Sequence, residues 1–289
     1  MITPSQIESF KENGYLGIEN VISDDDISEL RRVVDGIIEE SREVSTHTDI
    51  FDLEPGHSRE EPQLRRIKNP MRLDSIFERV MRNNNIIDIV AALIGPGVRF
   101  LPGSDVMNMK QAKVGSPVEW HQDWAFAPMT NSDILAVGVI IDDMVVENGA
   151  LLVLPGTHKG PIYNHHQNGV FVGAITDTSL KVDDAVPVEL KSGGISIHHP
   201  RVLHASMPNI SDRSRRFLIF NFCALDNWPL MGPPDWDKFT EGIMRGEPTL
   251  EIRLEVNPVR APFPKGERGG SIFEVQSMVE KPNLGANGS

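Results

Sequence analysis

Four residues near the middle of the chain, Trp120-His121-Gln122-Asp123, carry the sharpest chemical signal in the 289-residue sequence. On an extended segment, side chains two positions apart leave the same face. His121 and Asp123 therefore aim an imidazole nitrogen and a carboxylate oxygen at one point, while Gln122 points away. A metal held there needs a third ligand from elsewhere in the chain. The candidates lie in Ile197-His198-His199-Pro200-Arg201-Val202-Leu203-His204-Ala205-Ser206. Alternation puts His198 and His199 on opposite faces, one buried and one exposed. Two histidines and one carboxylate on one side of a metal leave its other side open, the arrangement used by non-haem Fe(II) oxygenases.

An open side is needed if iron must hold a co-substrate and dioxygen together. A 2-oxoglutarate molecule would take two positions through its keto oxygen and neighbouring carboxylate, leaving one for dioxygen. Its far carboxylate then requires a planar, two-pronged cation, which arginine supplies better than lysine. Arg213, Arg215 and Arg216 follow the histidine cluster. A one-residue shift in register exchanges Arg215 and Arg216 between faces. A lone His-x-Asp is common by chance, but its ordered combination with a strand-flanked histidine and a following arginine is not.

The elements that must position these groups come in two kinds. The first stretch reads as helix: Thr3 caps a helix opening at Pro4 and stopped at Gly14, with Ile7 and Phe10 on one face. Ser23 caps a second, with Asp24, Asp25 and Asp26 at the positive end of its dipole and Ile27, Leu30, Val34 and Ile37 spaced as a buried stripe. Residues 41–56 are polar and aperiodic and read as a mobile loop, and two short helices fit 74–82 and 85–93. From Val98 onward the pattern changes to short apolar runs at 98–101, 105–111, 135–141, 151–154, 186–190, 195–198 and 216–222, separated by Gly, Pro and Asn punctuation. Many short strands without βαβ alternation predict an antiparallel sandwich or jelly roll. The expected organisation is a single domain over 1–289: a mainly helical part at 1–97, a jelly-roll core at 98–222, and a lid or interface region at 223–289. Asp226, Asn227 and Trp228 open that last region, and 281–289 is expected to fray.

Composition narrows the class. Hydrophobic residues at 39% and charged residues at 24% are ordinary for a soluble globular protein. Forty-one acidic against 28 basic residues give a net charge of −13, which argues against a nucleic-acid partner. The lone Cys223 excludes an internal disulfide and a cysteine-based metal cluster. The first residues lack the layout of a secretion signal, and the longest apolar runs are too short for a bilayer, so a cytoplasmic protein without membrane partners is expected.

The sequence resembles the phytanoyl-CoA dioxygenase-like branch of the Fe(II)/2-oxoglutarate-dependent oxygenases. The matching segments are Trp120-His121-Gln122-Asp123, Glu147-Asn148-Gly149-Ala150-Leu151, Leu154-Pro155-Gly156-Thr157-His158 and His204-Ala205-Ser206-Met207-Pro208-Asn209-Ile210-Ser211 followed by Arg215. Their order and spacing agree over residues 4–222. The resemblance implies a mainly β fold with flanking helices, a double-stranded β-helix (cupin-like jelly roll). It implies Fe(II), 2-oxoglutarate and O2 as cofactor and co-substrates. It implies His121, Asp123 and His204 as metal ligands and catalytic residues. For 2-oxoglutarate it implies Arg215 and Ser206, with Lys68 matched more loosely to a lysine reaching in from the helical region. An aspartate at position 123 also fills the place that halide-transferring relatives leave open, favouring hydroxylation or a related oxidation.

One departure from the family lies at Gly138, where several relatives carry tryptophan; the lost ring leaves space that a substrate or another side chain fills. Trp120, Trp124 and Phe126 are either core or an aromatic wall, and His158, His165 and His166 lie on a loop by the expected barrel mouth. Arg65, Arg66, Lys68 and Arg72 form a local basic cluster that suits an anionic substrate or a solvated face. The expected activity is oxidation of an unactivated C–H bond in a small, apolar metabolite of natural-product type, with desaturation or rearrangement as variants. A homodimer is left open. Two alternatives remain: a cupin-like metalloenzyme without 2-oxoglutarate, and a non-catalytic small-molecule binding protein on the same scaffold.

Overall fold

The computed structural model describes residues 2–232, 235–266 and 271–284. Two antiparallel sheets face each other. The larger has nine strands, with Tyr15–Ile18, Ile195–His198, Ile134–Ile140, Arg215–Ala224, Val106–Lys110, Leu64–Lys68 and Phe51–Leu53 in that order. Val98–Phe100 and Ile243–Arg245 extend it beside the far half of Arg215–Ala224. The smaller sheet has four strands in the order Val186–Val188, Leu151–Leu154, Leu203–Ser206 and Val118–His121. This is the jelly roll the strand pattern predicts.

The central strands are covered on both faces, and alternation divides their side chains. Val137, Val139, Leu218, Phe220 and Phe222 point outward into a core shared with Leu30, Val34, Ile76, Phe77 and Val90 of the helices. Ala136, Phe217, Ile219 and Asn221 point inward and line a cavity between the sheets. Burying the outer face against helices supplies the hydrophobic stabilisation, so the inner face is left to accommodate polar groups.

The helices begin where the capping signals place them. Pro4–Asn13 is capped by Thr3 and ends at Gly14, which takes the left-handed conformation at φ 78°. There Gly14 also lies against the His158 ring, so a Cβ would collide with it. Asp24–Glu40 is capped by the Ser23 hydroxyl, and Ser75–Met81 by Asp74. Asn84–Ile94 follows.

Three expectations need correction. The sheet strands are not confined to 98–222: Tyr15–Ile18, Phe51–Leu53 and Leu64–Lys68, within the mainly helical stretch 1–97, all join the larger sheet. Residues 41–56 are not a free loop, because Phe51, Asp52, Leu53 and Glu54 are buried and paired against the 64–68 strand. The C-terminal end is docked through residue 284. The Asn283 and Leu284 N–H groups donate to the Glu119 carboxylate at 2.9 and 3.1 Å, while 285–289 lie outside the described residues.

Candidate active site

Strands Val118–His121 and Leu203–Ser206 are neighbours, with His121 directly opposite His204. After His121 the chain stays extended through Gln122 (φ −125°, ψ 126°) and then enters a short 3-10 turn at Asp123–Ala125. The extended step keeps His121 and Asp123 on one side. The Trp124 N–H fixes the turn by donating to the Pro200 carbonyl at 2.9 Å. Gln122 points away, as alternation requires, and ties loops together: its amide donates to the carbonyls of Pro161 and Arg201 and accepts from the Tyr163 N–H.

The side chains of His121, Asp123 and His204 each present one ligand atom, all within 4.8 Å of one another. Asp123 Oδ1 lies 3.6 Å from Nε2 of both histidines. Each Nδ1–H donates to a backbone carbonyl, His121 to Glu119 at 2.7 Å and His204 to Val202 at 3.1 Å. These bonds fix the proton on Nδ1 and leave each Nε2 as a lone pair. Burial, with His121 close by, pushes the His204 imidazole well toward its neutral form. Two lone pairs and a carboxylate thus converge without a proton between them. Such a set is repulsive alone and suited to one small cation.

His198 completes the cluster. Its Nε2 donates to Asp123 Oδ2 at 3.0 Å, and its ring lies 4.4 Å from that of His204. The pair His198 and His199 is therefore split between faces, with His198 buried and His199 half-buried rather than exposed. His199 accepts from the Arg201 N–H, and burial lowers its pKa to about 3. Burial opposes the charge on Asp123, and the hydrogen bond from His198 Nε2 to Oδ2 works against that by favouring the ionised carboxylate.

The trio opens into a cavity of about 760 Å³ between the sheets. Arg215 lies in its wall and is buried; its Nη2 donates to the Gly149 carbonyl at 2.7 Å, while Nε and Nη1 have no partner among the described residues. Burial lowers its pKa to about 10, so it stays cationic at neutral pH. Arg216 faces the other way and is held by Asp142 and Asp35. Ser206 lines the same cavity.

Lys68 does not match its expected place. It sits on a strand, not in the helical region; its Nζ lies 3.0 Å from Asp52 Oδ1 and bonds the Thr48 carbonyl, and it is absent from the main cavity wall. The buried lysine in that wall is Lys110, whose Nζ donates to the carbonyls of Ser116 and Met207 at 2.6 Å. Burial, reinforced by the Arg215 charge, pushes its pKa well down. Lys110 shares strand parity with Val106 and Asn108, both cavity-facing, and the sequence shows that parity without showing which face is inward.

The remaining expectations separate cleanly. Trp120 packs with Leu154, Ile175 and Leu203, and Trp124 with Met129, Ile134 and Cys223, so both are core; Phe126 alone faces the cavity, edge-on to His121. His158, His165 and His166 do not line the cavity. His165 instead accepts from the Gln122 N–H and donates to the Tyr163 carbonyl, and burial holds its pKa near about 3. The space at Gly138 is already filled: a Cβ there would meet the Phe217 ring at 2.1 Å. The basic cluster disperses, with Arg65 paired to Glu54, Lys68 to Asp52, Arg72 exposed, and Arg66 in the cavity wall.

A sequence profile of the phytanoyl-CoA dioxygenase family (PhyH) matches residues 10–217. The chain belongs to this family. Among curated relatives of this phytanoyl-CoA dioxygenase family member, a probable alpha-ketoglutarate-dependent hypophosphite dioxygenase of Stutzerimonas stutzeri is 31% identical over 280 residues, covering 95% of this chain and 97% of the relative. An L-proline trans-4-hydroxylase of Streptomyces griseoviridis is 26% identical, covering 76% and 86%. The non-heme monooxygenase ThoJ superposes with a TM-score of 0.67 at 21% identity, covering 90% of each chain, which shows a shared fold. EctD from S. alaskensis with bound Fe gives 0.66 at 20% identity, covering 90% and 89%. As a member of this family the protein is an Fe(II)- and 2-oxoglutarate-dependent dioxygenase.

Proposed function

We propose that His121, Asp123 and His204 hold the iron and that the cavity above them takes 2-oxoglutarate and a small organic substrate, which is oxidised at a C–H bond. The observation that carries this reading is the convergence of three unprotonated donors on one point beside an arginine with two unpaired N–H groups. Bound iron and 2-oxoglutarate supply the oxidising power: dioxygen is consumed, succinate and carbon dioxide leave, and one oxygen atom enters the substrate.

The chain's own residues bind and orient. Arg215 offers Nε and Nη1 to the far carboxylate of 2-oxoglutarate, and the Ser206 hydroxyl lines the same wall. An unpaired buried guanidinium is costly, and a carboxylate relieves that cost. His198 restrains the Asp123 carboxylate from behind, leaving Oδ1 directed at the histidines. Phe126, Phe171 and Phe217 give the cavity dry walls. Met231, Phe263, Phe273 and Val275 of the C-terminal region line it from outside the jelly roll, which supports a covering role for 223–289 within one domain. Asp226 is bound to Arg253 and Asn227 to the carbonyls of Asn131 and Asp133, so those residues anchor the cover. With Phe217 filling the Gly138 space, that position adds no room for a substrate. The names of the two curated relatives, hypophosphite and L-proline among them, favour a small molecule.

Anaerobic titration of the protein with Fe(II) and 2-oxoglutarate tests the reading. A visible charge-transfer absorption is expected for the wild type and its loss for His204→Ala. A wild type that binds both without absorbing, or binds neither, overturns it.

A further inference from the structure

Arg66 is a cavity arginine whose charge the reading above does not use. It lies on strand Leu64–Lys68, directly opposite Asn108, which in turn is opposite Phe217, so the three side chains share the inner face. The guanidinium is half-buried, its Nε is sealed from solvent, and it makes no hydrogen bond or ion pair with any described residue. The nearest acid on its own face, Asp52, is already occupied by Lys68 at 3.0 Å. Burial works against the Arg66 charge, while Asp52 across the strand pair and then Asp123 of the metal trio favour it.

Charge accounting sharpens the point. Among the described lining residues, Arg66, Lys110, Arg215 and Lys265 are basic and only Asp123 is acidic. A ferrous ion with Asp123, Arg215 and dianionic 2-oxoglutarate is neutral as a group. Lys110 is committed to backbone carbonyls. Lys265 is exposed, so Arg66 remains as a half-buried cavity cation without a direct hydrogen-bond or ion-pair partner among the described residues, and a missing partner there is costly. Its planar fork suits an oxyanion. Beyond it the walls turn apolar, with Leu101, Ile134, Phe171, Phe263 and Phe273.

We propose that Arg66 binds an oxyanion group of the substrate (carboxylate, phosphinate or phosphonate), and that the apolar walls take a short hydrocarbon body. This rests on the active-site reading above and replaces the apolar metabolite expected from the sequence with an amphipathic acid.

The test uses the anaerobic complex of the full-length protein with Fe(II) and 2-oxoglutarate, whose absorption band shifts when a ligand enters beside the metal. Hexanoate, hexylphosphonate and hypophosphite serve as anionic probes, and hexanamide as the uncharged match to hexanoate. Expected is a band shift with at least one acid and a dissociation constant for hexanamide at least tenfold weaker than for hexanoate. A shift with hypophosphite alone assigns the oxyanion site without the hydrocarbon body and overturns that part. In Arg66→Gln the preference for acid over amide disappears, Arg66→Lys keeps part of it, and the 2-oxoglutarate titration superimposes on that of the wild type. The wild-type comparison of acid with amide stands even if a variant fails to fold. Equal binding of acid and amide, no shift with any anion at 10 mM (a concentration of about 10 mM being the limit of a ~3 kcal/mol interaction), or a loss of 2-oxoglutarate affinity in Arg66→Gln overturns the proposal. A wild type without the band overturns the active-site reading instead.

Discussion

Neighbouring arginines show how one residue of register decides chemistry. Arg215 faces the cavity with two unpaired donors, while Arg216 faces outward into Asp142 and Asp35. Truncating Arg215 to alanine is expected to raise the dissociation constant of 2-oxoglutarate about 10- to 100-fold, the equivalent of about 1.5–3 kcal/mol for hydrogen bonds to a charged group. Arg216→Ala is expected to leave that constant within about twofold and to lower stability instead, because it strips Asp142 of its partner. Titration of both variants with 2-oxoglutarate, alongside urea unfolding, separates the two effects; equal losses of affinity would show that the cavity does not distinguish them. The sequence narrows the choice to these positions but cannot fix the register, since the strand's parity is set by its pairing with Ile134–Ile140 and Val106–Lys110. The same reason hides Lys110 behind Lys68: charge is visible in a sequence, whereas the face it takes is a property of the sheet.

At the scale of elements, local chemistry was legible and long-range pairing was not. Caps at Thr3 and Ser23 and the strands Leu151–Leu154 and Ile195–His198 follow from signals within a few residues. Phe51–Leu53 was missed because its polar context, including the buried Asp52 and Glu54, is stabilised only by the partner strand and by cations such as Lys68 and Arg65. The ligand strands Val118–His121 and Leu203–Ser206 are short for the same reason: each is held by its neighbours. The packing of strand Ile134–Ile140 on Arg215–Ala224 offers a direct check. Gly138 is opposite Ile219, and the Phe217 ring occupies the volume its Cβ would need. Gly138→Ala is expected to lower stability by about 1–3 kcal/mol through overpacking. Adding Phe217→Leu should recover part of that loss, giving a coupling energy of about 0.5 kcal/mol or more in a double-mutant cycle followed by urea unfolding. Additive losses would mean that the ring does not fill the glycine's space.

The whole molecule stores neutral histidines beneath its surface, and this sets how it responds to acid. His165 and His199 are each held by burial at about 3, against an ordinary value near 6.5. His165 uses its ring to link the loop before Phe171 to the backbone of Gln122; His199 caps the turn that carries Arg201. Between about pH 3 and pH 6.5 the unfolded chain binds protons that the folded chain refuses, so the free energy of unfolding falls as the pH is lowered through this window. Above about pH 6.5 both states are neutral at these positions and the contribution is complete. Each histidine adds a slope of up to about 1.4 kcal/mol per pH unit at the acid side. Metal-free protein, prepared with EDTA so that ligand release does not add to the signal, should lose urea stability progressively from pH 7 to 5.5. His199→Asn should unfold with a shallower pH dependence than the wild type, even though its stability at pH 7.5 is lower. Parallel curves for the two proteins would show that His199 is protonated in the folded state and that the interior is wetter there than its packing indicates.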